Sequence, residues 1–277
     1  MAQAIALTIA GSDSGGGAGI QADLKTFSAL GTYGASVITA ITAQNTRAVT
    51  GIEAVSPAMV AAQIDAVFDD LRVDAVKIGM IGGANVITTV AERLRHHLAV
   101  RPIPVVLDPV MIAKSGDALL PADAITAMLR HLLPLATVLT PNLPEAAALL
   151  NMAEATSPQD MALQGQTLRA KGPRFVLMKG GHGRGEICTD LLVGSQILTL
   201  TAPRVITKNT HGTGCSLSSA IAAGLAQGLA VPEAVKAAHR WLQQAIRAAD
   251  DLQIGQGHGP VHHFHAFWPA KTREAAE

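Results

Sequence analysis

Aromatic, charged and cysteine residues are all scarce in this sequence. Aromatic side chains make up 3% of its 277 residues, too few for the stacking platforms with which proteins bind single-stranded nucleic acid. Lysine plus arginine and aspartate plus glutamate both number 21, so no net positive charge attracts nucleic acid or an acidic membrane. The 2 cysteines, Cys188 and Cys215, do not form a disulfide framework. These absences predict a protein of the reducing cytoplasm without a nucleic-acid partner.

Two stretches without charged residues, 26–46 and 209–232, are each long enough to span a bilayer. Both are interrupted by glycine and carry many Ser, Thr, Gln or Asn side chains, so we interpret them as buried elements of a soluble protein with no membrane contact. The first residues lack the positively charged region with which a signal peptide begins. Hydrophobic residues make up 49% of the chain, which is enough for a large buried core.

Short apolar segments alternate with helical patterns along the chain. The runs 73–78, 105–107 and 175–178 are typical of parallel strands that are buried on both faces. Ser56 before Pro57 predicts a helix start. Two β-like runs within 186–202 meet at a Gly-Ser pair, which predicts a hairpin.

This alternation predicts an α/β protein in which a central, mainly parallel sheet lies between two layers of helices. No linker divides the sequence, so we expect one domain over residues 1–277, with a core of about 5–268 and a short C-terminal tail. A (β/α)₈ barrel is the alternative, which the irregular spacing of the units and the helix-helix end of the chain disfavour.

The most informative segment is 209–215, in which Gly212 and Gly214 flank Thr213 directly before an apolar, small-residue helix. The N–H groups and the positive dipole end of a helix start bind anions, and glycine lets the backbone approach a ligand closely. Cys215 stands beside that anion site as a nucleophile-like side chain. A developing phosphoryl charge next to a proton acceptor is what a kinase requires.

A second glycine-rich segment, 11–19, follows the first strand and fails both common nucleotide motifs. No acidic residue occurs between Asp23 and Glu53, where a dinucleotide fold needs one, and no Gly-Lys-Ser/Thr triplet is present. The segment therefore forms either a wall that a ligand approaches closely, ending in a helix that carries Asp23, or a plain tight turn with Asp23 in solvent.

Several strand ends carry polar side chains. The amide of Gln44 suits an aminopyrimidine edge, although an ordinary loop glutamine is the commoner case. Asp108 suits a metal or phosphate, with Met80 and Val110 as apolar wall, although ordinary packing also explains such positions. A lysine at the end of a buried strand, Lys179, is costly unless it meets an anion such as a triphosphate.

Asn142 and Glu145 open a predicted helix. Capping alone explains both residues, and the functional alternative is a pair that holds water around Mg²⁺. The late histidines have no nearby cysteine and one nearby acid, Asp251, so a docked or exposed tail is favoured over a metal site. These histidines are His258, His262, His263 and His265.

Together these motifs resemble the hydroxymethylpyrimidine/phosphomethylpyrimidine kinases of thiamin biosynthesis, which belong to the ribokinase-like superfamily. The resemblance runs from about residue 5 to residue 268, and its motifs agree in order and spacing. They are residues 10–13, 16–27, 37–46, 77–80, 108–110, 140–142, 179–182 and 208–215.

The resemblance implies a ribokinase-like three-layer fold, a homodimer, and two successive transfers from ATP. The first is to 4-amino-5-hydroxymethyl-2-methylpyrimidine and the second is to its monophosphate. It implies substrate contacts from Gly11, Asp23, Gln44, Met80 and Val110. It implies catalytic roles for Lys179, Gly212, Thr213, Gly214 and Cys215. It implies ATP contacts from Lys179, Thr207 and Lys208, and a Mg²⁺ site at Asp108, Asn142 and Glu145.

By the same resemblance, Cys215 stands where sugar kinases carry their basic aspartate. A helix N-terminus lowers the pKa of a thiol, so we expect a thiolate near neutral pH that acts as general base. An inert pocket wall is the alternative.

The chain departs from the family pattern at Ser14, which replaces a common proline, and at Ser216, which replaces a common threonine. His239 lies where a lysine is often found, so a nucleotide contact either passes to Lys236 or Arg240 or is absent. This leaves the second phosphorylation open. The rival functions are a pyridoxine/pyridoxal kinase, a hydrolase that uses Cys215 with a histidine, and a non-catalytic pyrimidine sensor.

Overall fold

The computed structural model describes residues 2–111, 121–181 and 185–268, so His182 lies outside the described residues. The strands are β1 (Ile5–Asp13), β2 (Tyr33–Gln44), β3 (Val49–Ala54), β4 (Ala75–Ile78), β5 (Val105–Leu107), β6 (Val138–Leu139), β7 (Phe175–Met178), β8 (Ile187–Val193) and β9 (Ile197–Pro203). The α-helices are α1 (Gly19–Ala29), α2 (Pro57–Asp70), α3 (Ala84–Val100), α4 (Ala122–His131), α5 (Leu143–Leu150), α6 (Pro158–Arg169), α7 (Thr213–Ala226) and α8 (Val231–Arg247).

All strands belong to one open sheet with the order β3-β2-β1-β4-β5-β6-β7-β8-β9. The six central strands run parallel to one another in the order β2-β1-β4-β5-β6-β7. The edge strands β3, β8 and β9 each pair antiparallel with the strand beside them. The central sheet and the hairpin between β8 and β9 are confirmed. The barrel alternative is wrong, because β3 and β9 end the sheet instead of pairing with each other.

The edge strand β3 was not predicted from the sequence. Five of its six residues are exposed and the other is half-buried, so it carries no buried apolar face. Backbone pairing with β2 holds it in place instead.

The core lies in two layers because successive side chains of a strand point to opposite faces of the sheet. Leu107 of β5 packs towards α2–α6, whereas the preceding Val106 packs towards α1, α7 and α8. This is the three-layer α/β/α arrangement that the alternation predicts. No helix of the described ranges combines the length and the apolar character that crossing a bilayer requires.

Two helices begin at the capping residues that the sequence predicts. Ser56 caps α2 by accepting a hydrogen bond from the Met59 N–H at 3.3 Å, with Pro57 in the first turn. Asn142 and Glu145 form a reciprocal capping box at the start of α5, with both hydrogen bonds at 2.8 Å.

The C-terminal segment is docked on the body of the protein, as the favoured interpretation of the late histidines predicts. The N–H of His262 donates to the Ala245 carbonyl at 3.0 Å, and the buried His263 ring lies 2.9 Å from the Ser216 hydroxyl. Burial lowers the pKa of His263 to about 3, so this ring is neutral at physiological pH. Across residues 2–111, 121–181 and 185–268, no three His, Cys, Asp or Glu side chains are grouped to hold a metal.

We predict that Ser56→Ala lowers the free energy of unfolding by about 1 kcal/mol, because the Met59 N–H then loses its capping acceptor. Urea unfolding followed by circular dichroism measures this difference. Ser195→Ala, in the exposed turn between β8 and β9, is the matched control and should stay within about 0.5 kcal/mol of the parent. Equal losses in both variants would contradict the cap.

Candidate active site

A cavity of about 910 Å³ lies at the carboxyl ends of the parallel strands, where open α/β sheets bind ligands. Most of the residues that the sequence singles out line it. They are Gly11, Gln44, Met80, Asp108, Val110, Asn142, Glu145, Lys179, Thr207, Gly212, Thr213, Gly214 and Cys215. The parallel strands bring many of these residues together, because the carboxyl ends of these strands lie at the same edge of the sheet.

Asp23 does not reach this cavity, contrary to the expectation that it contacts the substrate. Its side chain is fully buried, and its Oδ2 accepts hydrogen bonds from Thr8 at 2.6 Å and Lys77 at 2.8 Å. Its Oδ1 accepts a hydrogen bond from Ser219 of α7 at 2.6 Å. With both oxygens enclosed, Asp23 has no atom to offer a ligand and instead holds Lys77 beneath the cavity.

Of the two residues expected near the nucleotide besides Lys179, only Thr207 lines the cavity. Its hydroxyl donates to Asp250, which also accepts a hydrogen bond from the Asn209 side chain at 2.7 Å. Lys208 is exposed, and its carbonyl lies 3.0 Å from His258 Nδ1. Lys208 is not among the residues that line the cavity, and its ATP contact stays a prediction.

The start of α7 faces the cavity. Gly212 has a φ of +80°, and a Cβ there would lie 1.9 Å from the Gly17 carbonyl oxygen, so only glycine fits this backbone contact. The Ser216 N–H closes the first turn onto the Gly212 carbonyl at 2.8 Å. The N–H groups of Gly214 and Cys215 precede that bond and, as at any helix start, have no intrahelical acceptor.

An ion cluster lies directly beside this helix start. Lys179 Nζ donates to Asp108 Oδ1 at 2.9 Å and lies 3.8 Å from Glu145 Oε2. A Cβ on Gly214 would be 3.4 Å from Asp108 Oδ2 and 3.5 Å from Lys179 Nζ. The helix start, a cation and two carboxylates therefore share one corner of the cavity.

The charges in this cluster shift one another. Burial acts to raise the pKa of Asp108, but Lys179 and Lys77 outweigh it and hold that pKa below its ordinary value. Burial likewise acts to lower the pKa of Lys179, but Asp108 and Glu145 raise it above its ordinary value. Burial raises the pKa of Glu145 from 4.5 to about 7, because the attraction of Lys179 does not compensate for burial and for the Asp108 charge.

Cys215 lies half-buried in the wall of the cavity. Burial raises the pKa of its thiol to about 11, and the opposing effects of Lys77 and of the hydrogen bond from the Gly19 N–H are smaller. Desolvation therefore favours the protonated thiol near neutral pH, contrary to the expected thiolate.

Asp13 and Lys77 also line the cavity, although the sequence analysis assigned them no role in the site. Asp13 Oδ2 lies 2.9 Å from His211 Nε2, and its carboxylate accepts three backbone hydrogen bonds from the glycine-rich turn. Burial acts to raise the pKa of Asp13, but His211 and these N–H groups bring it below its ordinary value. His211 and Asp13 are distant in the sequence, so no local spacing indicates their contact.

His239 lines the far side of the cavity, and its Nε2 lies 3.9 Å from Asp190 Oδ2. Lys236 and Arg240, which we considered as substitutes for a lysine at position 239, do not line the cavity. Lys236 pairs with Glu233 at 2.9 Å, and Arg240 is exposed. Arg204 also lines the cavity, and its guanidinium donates to the Gly181 carbonyl at 2.8 Å, so His239 and Arg204 are the cationic side chains available there.

Asp108 and Glu145 are the carboxylates best placed for Mg²⁺. Mg²⁺ binds few protein carboxylates and keeps several waters. Burial disfavours the ionised form of Glu145 and raises its pKa to about 7, and a divalent cation would stabilise that ionised form. The side-chain oxygen of Asn142 already caps the Glu145 N–H at 2.8 Å, so Asn142 fits such a site less well than the two acids do.

Comparisons with known proteins agree on one family. The sequence profile described as phosphomethylpyrimidine kinase matches residues 13–262. A hydroxymethylpyrimidine/phosphomethylpyrimidine kinase from Rhizobium meliloti is 59% identical over 266 residues, which cover 96% of this chain and 98% of that protein.

Two solved structures have the same fold. The phosphomethylpyrimidine kinase from Clostridium difficile superposes with a TM-score of 0.77 at 45% identity, covering 88% of this chain and 100% of that one. The pyridoxal kinase from Bacillus subtilis, solved as an ADP complex, gives a TM-score of 0.88 at 36% identity, covering 96% and 99%.

We predict that Glu145→Gln removes a pH-dependent loss of stability. A carboxyl whose pKa is raised from 4.5 to about 7 in the folded state stabilises the protein fully below its unfolded pKa, and this stabilisation is lost as the pH rises to about 7. The parent should therefore lose about 1 kcal/mol per pH unit between about pH 5 and pH 7 relative to the variant.

Urea unfolding at several pH values measures this difference. The variant keeps the capping box, since the glutamine carbonyl can still accept the Asn142 N–H. The exposed Glu154→Gln is the matched control and should follow the parent. Parallel curves for the parent and Glu145→Gln would contradict the prediction.

Proposed function

The chain belongs to the phosphomethylpyrimidine kinase family, and we propose that it transfers the γ-phosphoryl group of ATP to 4-amino-5-hydroxymethyl-2-methylpyrimidine. A second transfer to the resulting monophosphate then gives the diphosphate. The observation that carries the proposal is the helix start at 212–215, which lies against the Lys179–Asp108 pair in the same cavity as Gln44.

Phosphoryl transfer needs mainly position and charge stabilisation, because its transition state is loose and carries its negative charge on the phosphoryl oxygens. The N–H groups of Gly214 and Cys215, at the positive end of α7, are suited to those oxygens. Lys179 is the cation for the ATP phosphates. In the protein without ligand its charge is balanced by Asp108 and Glu145, and phosphate binding would draw it away from them.

We assign the metal site to Asp108 and Glu145, with Asn142 as a contributor through water. Bound Mg²⁺ would neutralise part of the phosphate charge. Asp108 is held for this role by Thr140 at 3.0 Å and by Ser218 at 3.4 Å. These two hydroxyl groups keep the carboxylate oriented when Lys179 moves towards phosphate.

The pyrimidine side of the cavity is formed by Gly11, Gln44, Met80 and Val110. A Cβ on Gly11 would lie 2.2 Å from the Met80 methyl carbon, so the glycine lets this methyl group lie flat on the β1 backbone. Met80 and Val110 then present an apolar wall to a flat ring, and Gln44 presents an amide to its edge. Thr207 and His239 lie on the nucleotide side.

We further propose that residues 1–277 act as one kinase domain, in a homodimer and in the cytoplasm. The exposed apolar side chains of Tyr33 and Ile41 on β2 support a contact with a second copy. Both cysteines are free thiols, in keeping with a reducing compartment.

Pyridoxal is the second candidate substrate, because the pyridoxal kinase from Bacillus subtilis shares the fold over 99% of its length. The higher identity of the Rhizobium meliloti pyrimidine kinase, 59% against 36%, favours the pyrimidine as the main substrate.

The direct test is product identification by mass spectrometry after incubation with the hydroxymethylpyrimidine and Mg-ATP. We expect a product with one added phosphoryl group, followed by a product with two. A parallel reaction with pyridoxal measures the side activity. A kcat/KM that is higher for pyridoxal than for the pyrimidine would assign the main activity to pyridoxal instead.

We predict that Cys215→Ala reduces kcat by less than about tenfold. A thiol with a pKa of about 11 is protonated at neutral pH, and alanine preserves the backbone N–H at the helix start. Loss of a general base would instead cost about 10²–10⁴-fold. Lys179→Met, which removes the phosphate cation, is the comparison variant and should lose about 10²-fold or more. Steady-state kinetics at pH 7 and pH 9 distinguish the two roles of Cys215.

A further inference from the structure

Gln44 is held at both its backbone and its side chain. Ser14 Oγ donates to the Gln44 carbonyl at 2.8 Å and accepts the Gln44 N–H at 2.8 Å. In the structure the side-chain amide has Oε1 3.2 Å from Thr42 Oγ1 and Nε2 3.3 Å from His211 Nε2. An amide has two N–H groups and two oxygen lone pairs. The two contacts engage one N–H group and one lone pair, so one N–H group and one lone pair remain for a ligand.

The Thr42 hydroxyl determines what one end of the amide must be. Its Oγ1 lies 2.8 Å from the Ser12 carbonyl oxygen, which can only accept, so the single hydroxyl hydrogen is directed there. Towards Gln44 the hydroxyl has only a lone pair to offer. The amide group beside Thr42 is therefore satisfied as a donor, which is the NH₂ group.

His211 determines the other end independently. Its Nε2 lies 2.9 Å from Asp13 Oδ2, and the pKa of Asp13 is below its ordinary value, so the carboxylate is an acceptor and Nε2 carries the hydrogen. This holds for the neutral and for the protonated ring. Nε2 therefore has no lone pair for an amide N–H, whereas an amide oxygen beside it can share the ring N–H with Asp13 in a three-centre hydrogen bond.

We propose that Thr42 and His211 lock the Gln44 amide with its oxygen towards His211 and its NH₂ towards Thr42, and that this fixed order selects an aminopyrimidine over its oxo analogue. A half-turn about the Cγ–Cδ bond exchanges the amide oxygen and nitrogen without displacing either position. The proposed order is the half-turned one, because the recorded order sets Nε2 against the His211 N–H and Oε1 against a hydroxyl already committed to Ser12.

The consequence for specificity follows from the order of the free groups. A 4-aminopyrimidine shows an amino donor beside a ring-nitrogen acceptor, and the 4-oxo analogue shows an acceptor beside a ring N–H donor. A freely rotating glutamine would turn to suit either edge, but a locked one pairs with a single order. The hydroxymethyl group has to face the start of α7, so the ring cannot turn over to reverse its edge.

This inference rests on the proposed function and is tested by kinetic discrimination. The kcat/KM values for the 4-amino substrate and for its 4-oxo analogue are measured for the parent and for Thr42→Val, which keeps the shape of the side chain but removes the lone pair. We expect the amino-to-oxo ratio to fall about tenfold, the factor that one neutral hydrogen bond supplies, mainly through KM.

The controls separate a lock from a general structural defect. Thr42→Ser keeps the hydroxyl and should retain the parental ratio. Thr50→Val makes the same chemical change on β3, where the hydroxyl contacts only the Ala43 carbonyl, and should also retain it. His211→Phe keeps a flat ring without the N–H and should reduce the ratio as Thr42→Val does, which keeps the test valid if one variant folds poorly.

Equal losses on both pyrimidines in Thr42→Val and His211→Phe, or an unchanged ratio in both, would overturn the lock alone. Failure of the parent to phosphorylate either pyrimidine would overturn the proposed function and the lock with it.

Discussion

The balance of buried charge beneath the start of α7 is the constraint on which the rest of the site depends. Lys77 is fully buried, and Lys179 lies in the cavity wall. They face the buried carboxylates of Asp23, Asp108 and Glu145. Isolated charges in such a place would be very costly, so each lysine is paired at hydrogen-bond distance. Burial raises the pKa of Glu145 to about 7, because its distance of 3.8 Å from Lys179 leaves it with the weakest pairing of the three.

This balance gives the cluster the properties of a prepared binding site. A region that already holds a cation, two carboxylates and a helix start needs little rearrangement to accept a polyphosphate with its metal. Lys77 contributes positive charge at the floor of the cavity, where Asp23 fixes its ammonium group through a hydrogen bond of 2.8 Å. Asp23, Thr8 and Ser219 thus tie α1, β1 and α7 to the charge at the floor of the cavity.

Close backbone contacts bring the two glycine-rich segments to the same place. Gly212 lies against the Gly17 carbonyl, and a Cβ on Gly17 would lie 2.4 Å from the His211 ring. The Asp13 carboxylate links the two segments, because it accepts hydrogen bonds from the backbone N–H groups of Gly17 and Ala18 and from the His211 ring. Ser14 adds two hydrogen bonds to the Gln44 backbone, so the glycine-rich turn is also coupled to the part of the cavity that Gln44 lines.

The sequence by itself determined whatever depends on neighbours along the chain. Runs such as Val105–Leu107 identify buried strands, Ser56 and Asn142 identify helix starts, and 212–215 identifies the helix end that faces the cavity. The sequence did not predict β3, because this strand has no buried apolar face.

Only the tertiary structure decided the surroundings of Asp23 and Cys215. Whether Asp23 meets a ligand depends on Thr8, Lys77 and Ser219, which come from other elements and enclose it. The pKa of Cys215 depends on how much water the folded chain removes from its thiol, and the His211–Asp13 contact joins residues 198 positions apart. Desolvation and long-range pairing are properties of the packed molecule, whereas helix caps and strand periodicity are already present in a short segment of sequence.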